Sequence, residues 1–206
     1  MKILPIFWPA LWLASSLFQV TAATIPEKIN LCSSCHGVDG NSTNPLYPSL
    51  AAQRPLYLQR QLQAFKDAAQ DAKTAERYDP VMTALAATLS AAEIEALAQY
   101  YAAQPRQHMT AALIDEQGRK LYQGGDLSRD IAACAACHGR NGEGLATAGF
   151  PALAGQHPQY ILLQLQKFKN GTRQDHFQGM MQNSSAKLTE QDMAMLAEYI
   201  AQLPNF

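Results

Sequence analysis

The chain has 206 residues, of which 48% are apolar and 16% charged, with a formal net charge of -1. That composition belongs to a globular protein rather than a disordered one. No run of five or six like charges occurs, which argues against nucleic acid as a partner, because phosphate binding normally needs a basic face. Residues 1–22 read as an export signal. Lys2 precedes an apolar run from Ile3 to Val20, and Val20-Thr21-Ala22 supplies small residues for cleavage after Ala22, with Ala23 as the alternative. The run is about long enough to span a bilayer, but Pro5, Pro9, Ser15, Ser16 and Gln19 weaken the reading as an uncleaved anchor. The mature chain is therefore expected outside the cytoplasm.

Beyond the signal, the chain consists of two copies of one unit, 23–103 and 104–206. Leu31 to Gly37 (LCSSCHG) recurs as Ala133 to Gly139 (ACAACHG). Tyr47 to Phe65 recurs as Phe150 to Phe168, and Leu89 to Ala102 as Leu188 to Ala201. Three blocks in one order with slightly different offsets indicate a duplicated domain, not a solenoid. In each copy a middle helix follows Pro55 or Pro158 and ends in a polar stretch, near Asp67 to Lys73 and Asn170 to Asp175. The last helices open on capping pairs, Ser90 with Glu93 and Thr189 with Asp192. Behind them, Ile94, Leu97, Ala98 and Tyr101 form one helical stripe, matched by Met193, Leu196, Ala197 and Ile200. No run of alternating β-branched residues is convincing, so the fold class is all-α. The boundary lies in the segment 103–113, where Gln104-Pro105-Arg106-Gln107-His108 ends the first unit.

All four cysteines fall in two CxxCH segments, Cys32-Ser-Ser-Cys35-His36 and Cys134-Ala-Ala-Cys137-His138. Residues at i, i+3 and i+4 share a helix face. Two thiols so placed can reach the two vinyl groups of a haem, and the following imidazole can bind its iron. Other uses of the cysteines fit less well. A thioredoxin-like pair needs a βαβ setting, zinc sites use far shorter gaps between CxxC pairs, and disulfides leave His36 and His138 without a purpose. Two covalent haem c groups are expected, one per unit.

The sixth iron ligand follows by elimination. Copy one contains no histidine besides His36 and no methionine besides Met82, seven residues before Leu89. Seven residues before Leu188 stands Met181; Met180 and His176 are its rivals, and the repeat alignment favours Met181. Iron held by histidine and methionine is closed to oxygen, peroxide or substrate and suited to one-electron transfer.

Two CxxCHG segments, each followed by P-x-L-A-[AG]-Q, a long Gln/Leu-rich helix, a methionine loop and an L-[ST]-x-x-[ED] helix, resemble the di-haem cytochrome c4 family over nearly the whole mature chain. The resemblance implies two class I cytochrome c folds packed about a pseudo-twofold axis, in a periplasmic protein, free or membrane-associated. It implies electron delivery between redox proteins, from a quinol-oxidising complex toward a terminal oxidase. It also maps a proline carbonyl beside each proximal histidine onto Pro48 and Pro151, and packing of a last-helix aromatic near a small first-helix residue onto Tyr100, Tyr199, Gly118 and Tyr122. Two other functions use similar parts: the haem subunit of a flavin-dependent sulfide dehydrogenase or other periplasmic redox enzyme, and a di-haem peroxidase, which needs an open iron.

The copies are not identical. Gln156-His-Pro in copy two reads Gln53-Arg-Pro in copy one, and the loop 38–44 is more polar than 140–149. From Thr24 to Ala103 there are 6 basic and 8 acidic residues, against 9 and 9 from Gln104 to Phe206. The two haems are expected to differ in reduction potential. A redox titration of the holoprotein should need two midpoints, and a fit by one would refute the expectation.

Overall fold

A computed structural model describes residues 24–107 and 115–204. The expected export segment, 1–22, lies outside the described residues. The first unit contains α1 (Thr24–His36), α2 (Pro55–Ala68), α3 (Pro80–Ala87) and α4 (Ala91–Ala102). The second contains α5 (Glu116–Gly124), α6 (Ala135–His138), α7 (Pro158–Lys169), α8 (Met180–Ala186) and α9 (Glu190–Ala201). Among the described residues, extended backbone pairs only at isolated bridges, so the fold is all-α as expected. No single described helix is long and apolar enough to cross a membrane.

Local chemistry accounts for the helix starts. Pro55 and Pro158 occupy the opening positions of α2 and α7, where a missing N–H costs nothing. Both expected capping boxes form. The Ser90 hydroxyl accepts from Glu93 N–H at 3.2 Å while the Glu93 carboxylate accepts from Ser90 N–H at 2.8 Å. Thr189 and Asp192 do the same at 3.1 and 2.8 Å. The shorter acid is held in place by Arg129, 2.7 Å away. Hydrogen bonds from that guanidinium, against the penalty of burial, bring the Asp192 carboxyl down to about 2.

Each unit has its own core. Leu58, Leu89, Ile94, Leu97, Ala98 and Tyr101 form the first, with Cys32 packed against it. Tyr122, Ile161, Met193, Leu196 and Ile200 anchor the second, with Cys134 against it. Both predicted stripes are therefore buried.

The copies differ just before the CxxCH motif, which the repeat pattern did not foretell. Helix α1 runs unbroken through Cys32 to His36, whereas α5 stops at Gly124. Gly125 then adopts φ +67°, where a Cβ would lie 2.2 Å from the Ile131 carbonyl oxygen. Paired hydrogen bonds between Asp126 and Ile131, at 2.8 and 2.9 Å, close the loop that follows. Helix α5 presses on α9 at Gly118, where a Cβ would lie 2.4 Å from Met195 O and 2.9 Å from Tyr199 Cβ. The Tyr122 and Tyr199 rings sit 5.4 Å apart. Three of the four residues mapped by resemblance thus meet; Tyr100 instead packs edge-on against Tyr101.

The units contact each other reciprocally, as a twofold relation requires. Arg77 donates to the Tyr160 hydroxyl at 2.7 Å, and Arg173 to that of Tyr57 at 3.0 Å. Arg54 Nε donates to Glu143 O at 2.6 Å, and the matching His157 Nε2 lies 2.8 Å from Ser42 O. The one departure noted between the P-x-L-A-[AG]-Q elements is therefore a difference in an interface contact. Arg106, between the units, is buried and donates to Ala51 O at 2.7 Å and Ala154 O at 3.2 Å, equivalent alanines of the two copies. Burial lowers its guanidinium to about 10.

The α5–α9 crossing depends on the absence of a side chain at position 118. Gly118→Ala should destabilise the C-terminal unit by about 1–3 kcal/mol through overpacking, measured by thermal unfolding of the holoprotein. An unchanged transition would refute the close approach.

Candidate functional site

Each CxxCH motif sits where a helix ends and the chain folds back. Gly37 and Gly139 follow the histidines at φ +84° and +80°. A Cβ at Gly37 would lie 2.2 Å from Asn41 O, so glycine is required for this left-handed exit. Gly37 N–H bonds back to Ser33 O, and Gly139 N–H to Ala135 O, both at 3.0 Å. Next, Gly40 O accepts from the N–H groups of Leu50 and Ala51, and Gly142 O from those of Leu153 and Ala154. These bonds bring each P-x-L-A element alongside its own motif.

Both prolines mapped by resemblance arrive at the histidines. His36 Nδ1 lies 2.8 Å from Pro48 O and His138 Nδ1 lies 3.0 Å from Pro151 O. A carbonyl oxygen only accepts, so Nδ1 carries the hydrogen and Nε2 keeps its lone pair. Both imidazoles are buried, 7% exposed. Burial lowers the proton affinity of each, opposed by the proline carbonyl; at His36 the charge of Arg77 lowers it further. Neutral rings with a free Nε2 are the form that binds a metal ion. Tyr47 and Phe150, which precede the prolines, flank the two rings at 6.4 Å.

The four cysteines are free and partly buried. Burial raises the Cys32 thiol and pushes Cys134 up to about 11. These are not the low-pKa thiols of a redox-active pair. Among the described residues, no three His, Cys, Asp or Glu side chains group as they would around a zinc ion.

The methionines lie in the first turn of the short helices. Met82 is half-buried in α3, its N–H donating to the capping carboxylate of Asp79 at 3.0 Å. Met181 is half-buried in α8, its N–H held by the Asp175 carboxylate at 2.5 Å. Met180 is exposed. The His176 side chain is 58% exposed, its Nδ1 3.7 Å from Glu76 of the other unit.

A free thiol pair and an uncommitted imidazole nitrogen at the end of one helix, in both copies, fit a haem attached through two thioethers and held by its iron. The Cytochrome c family model matches the chain twice, over residues 26–103 and 116–204. Cytochrome c4 of Pseudomonas aeruginosa is 39% identical over 184 residues, covering 87% of each chain. The chain belongs to the cytochrome c4 family. The crystal structure of reduced cytochrome c4 from Pseudomonas stutzeri aligns with a TM-score of 0.84 at 37% identity, covering 89% of this chain and 99% of that one. A "Thiosulfate dehydrogenase electron acceptor" of Thiomonas intermedia is 35% identical over 208 residues, 97% of this chain and 87% of that protein.

As a cytochrome c4 family member, the protein consists of two tandem cytochrome c domains, carries two covalent haem c groups and acts as an electron carrier. What the sequence reading missed is the cross-domain wiring. Arg106 gave no signal, standing in a stretch read only as a boundary. The glutamines ending the two P-x-L-A-[AG]-Q elements did give one, because Gln53 and Gln156 recur at the same place in the repeat.

Each domain is small, and its first cysteine packs against its own core, where a haem attached to it would add to the buried interior. Domains of this size bury barely enough apolar surface to fold alone. A chain with all four cysteines changed to alanine should show no cooperative thermal transition. A cooperative one would refute the dependence.

Proposed function

We propose that the protein is a periplasmic carrier that takes single electrons from a quinol-oxidising complex and passes them toward a terminal oxidase. After removal of residues 1–22, segments 23–103 and 104–206 each hold one haem. Cys32 and Cys35 attach the first and Cys134 and Cys137 the second. The axial pairs are His36 with Met82 and His138 with Met181. Bound there, the haem irons supply reversible one-electron chemistry. The chain's own residues keep each imidazole neutral and aimed, through the Pro48 and Pro151 carbonyls, and hold Met82 and Met181 half-buried in the first turns of α3 and α8.

The observation that carries this reading is the matched proximal arrangement: in both copies a buried histidine gives Nδ1–H to the proline carbonyl of a P-x-L-A element, leaving Nε2 for iron. Met181 is preferred over Met180 because it is half-buried and held by Asp175, as Met82 is by Asp79.

A second reading concerns the donor. The Thiomonas relative named as an acceptor for thiosulfate dehydrogenase matches nearly the full chain. It favours a sulfur-compound dehydrogenase as electron source, a relation akin to the periplasmic redox enzyme whose haem subunit was the alternative expectation. Rapid mixing of the oxidised protein with each class of donor distinguishes the two, the faster reduction naming the source.

Absorption spectra with and without carbon monoxide test the ligands. The unsubstituted chain should show the methionine-to-iron charge-transfer band and no response to carbon monoxide. Met82→Ala and Met181→Ala should each open one haem to carbon monoxide, while Met180→Ala should open neither. Carbon monoxide binding in Met180→Ala but not in Met181→Ala would reverse the assignment.

A further inference from the structure

Gln53 and Gln156, both 5% exposed, end the two P-x-L-A-[AG]-Q elements. Each side chain is spent on the other domain. Gln53 Nε2 donates to Ala152 O at 2.9 Å, and Gln53 Oε1 accepts from Ala152 N–H at 2.8 Å. In mirror image, Gln156 Nε2 donates to Ser49 O at 3.0 Å and Oε1 accepts from Ser49 N–H at 2.9 Å. Each oxygen also accepts from the next backbone N–H in its own chain, that of Arg54 at 2.9 Å or His157 at 3.1 Å. Every partner is a fixed donor or acceptor, so each amide has one orientation that satisfies it.

The residues so gripped are the ones that follow the histidine-binding prolines. The Ala152 N–H and the Pro151 carbonyl belong to one peptide group, as do the Ser49 N–H and the Pro48 carbonyl. A single hydrogen-bonded chain therefore runs from Gln53 Oε1 through the Pro151–Ala152 peptide to His138 Nδ1. Its counterpart runs from Gln156 Oε1 through the Pro48–Ser49 peptide to His36 Nδ1. A peptide whose N–H is engaged has a more negative carbonyl oxygen and accepts more strongly, because chained hydrogen bonds polarise one another. A stronger acceptor at Nδ1–H makes the imidazole a more electron-rich ligand. Such a ligand favours the oxidised iron and lowers the reduction potential.

We infer that Gln53 and Gln156 are crossed positioning residues, each setting the axial histidine, and through it the reduction potential, of the haem in the opposite domain. The inference rests on the histidine ligands of the proposed function and not on the methionines. It gives the duplication a physical consequence: each domain's redox poise depends on docking with the other, through one buried side chain per direction.

The test is a redox titration of the holoprotein with the haems followed separately. Their paramagnetically shifted methyl resonances can be assigned through contacts to the Cys32/Cys35 or Cys134/Cys137 thioether bridges. Gln53→Met, which keeps the length and removes all three amide hydrogen bonds, should raise the midpoint of the C-terminal haem more than that of the N-terminal haem. Gln156→Met should do the reverse. Gln53→Asn and Gln156→Asn, which withdraw the amide by one methylene, should shift the same haems in the same direction if either methionine variant fails to assemble. Arg106→Gln loosens the same interface at Ala51 and Ala154 and serves as the control, with no crossed preference expected. Shifts that fall on the residue's own domain, that have the opposite sign, or that match the Arg106→Gln pattern would overturn the inference. A high-spin spectrum in the unsubstituted chain would overturn the methionine ligands of the proposed function and leave this inference to be decided by the same crossed shifts, whereas uncrossed shifts would overturn the clamp alone.

Discussion

The hydrogen bond from a buried histidine to a proline carbonyl is the contact on which the rest of each domain is arranged. An imidazole at the end of a helix has two nitrogens, and burial makes an unpaired one costly. Giving Nδ1–H to Pro48 or Pro151 settles the tautomer and leaves Nε2 with its lone pair. For that carbonyl to arrive, the chain must leave the helix abruptly, which Gly37 and Gly139 allow, and return along Gly40 or Gly142. The glycine in CxxCHG and the proline in P-x-L-A therefore serve one piece of geometry.

The same constraint explains why the domain interface is built where it is. The element that delivers the proline carbonyl has a second edge, and in both copies this edge meets the other domain. Arg106 holds the two equivalent alanine carbonyls, and the glutamines grip the peptides that touch the histidines. Buried backbone groups need partners, and here each domain supplies those of its twin. The interface therefore reaches the peptides that hold His36 and His138.

The repeat also shows where equivalence stops. Arg54 and His157 hold matching positions and both reach across to the loop after the opposite CxxCH motif, but one carries a permanent charge and the other does not. Helix α1 leads directly into its motif, while α5 is separated from α6 by a loop closed at Asp126 and Ile131. Helix α5 lies against α9 at Gly118, and Tyr122 meets Tyr199. These differences surround two similar iron-binding motifs with unlike structures.

The sequence by itself determined what depends on neighbours along the chain. The CxxCH spacing, the capping pairs at Ser90 and Thr189, the stripes behind them and the all-α class are local or periodic, so they could be read directly. Duplication added a control: what recurs at the same offset, such as Pro48 with Pro151, has the same use, and the same offset makes Met181 rather than Met180 the expected counterpart of Met82. Only the tertiary structure decided which residues separated by about a hundred positions would touch. Nothing local distinguishes Gln53 from any other glutamine ahead of a helix, and Arg106 looks like a linker residue. Their roles come from the docking of two surfaces, and a hydrogen bond across that docking depends on the relative placement of the domains, which no periodicity within either one encodes.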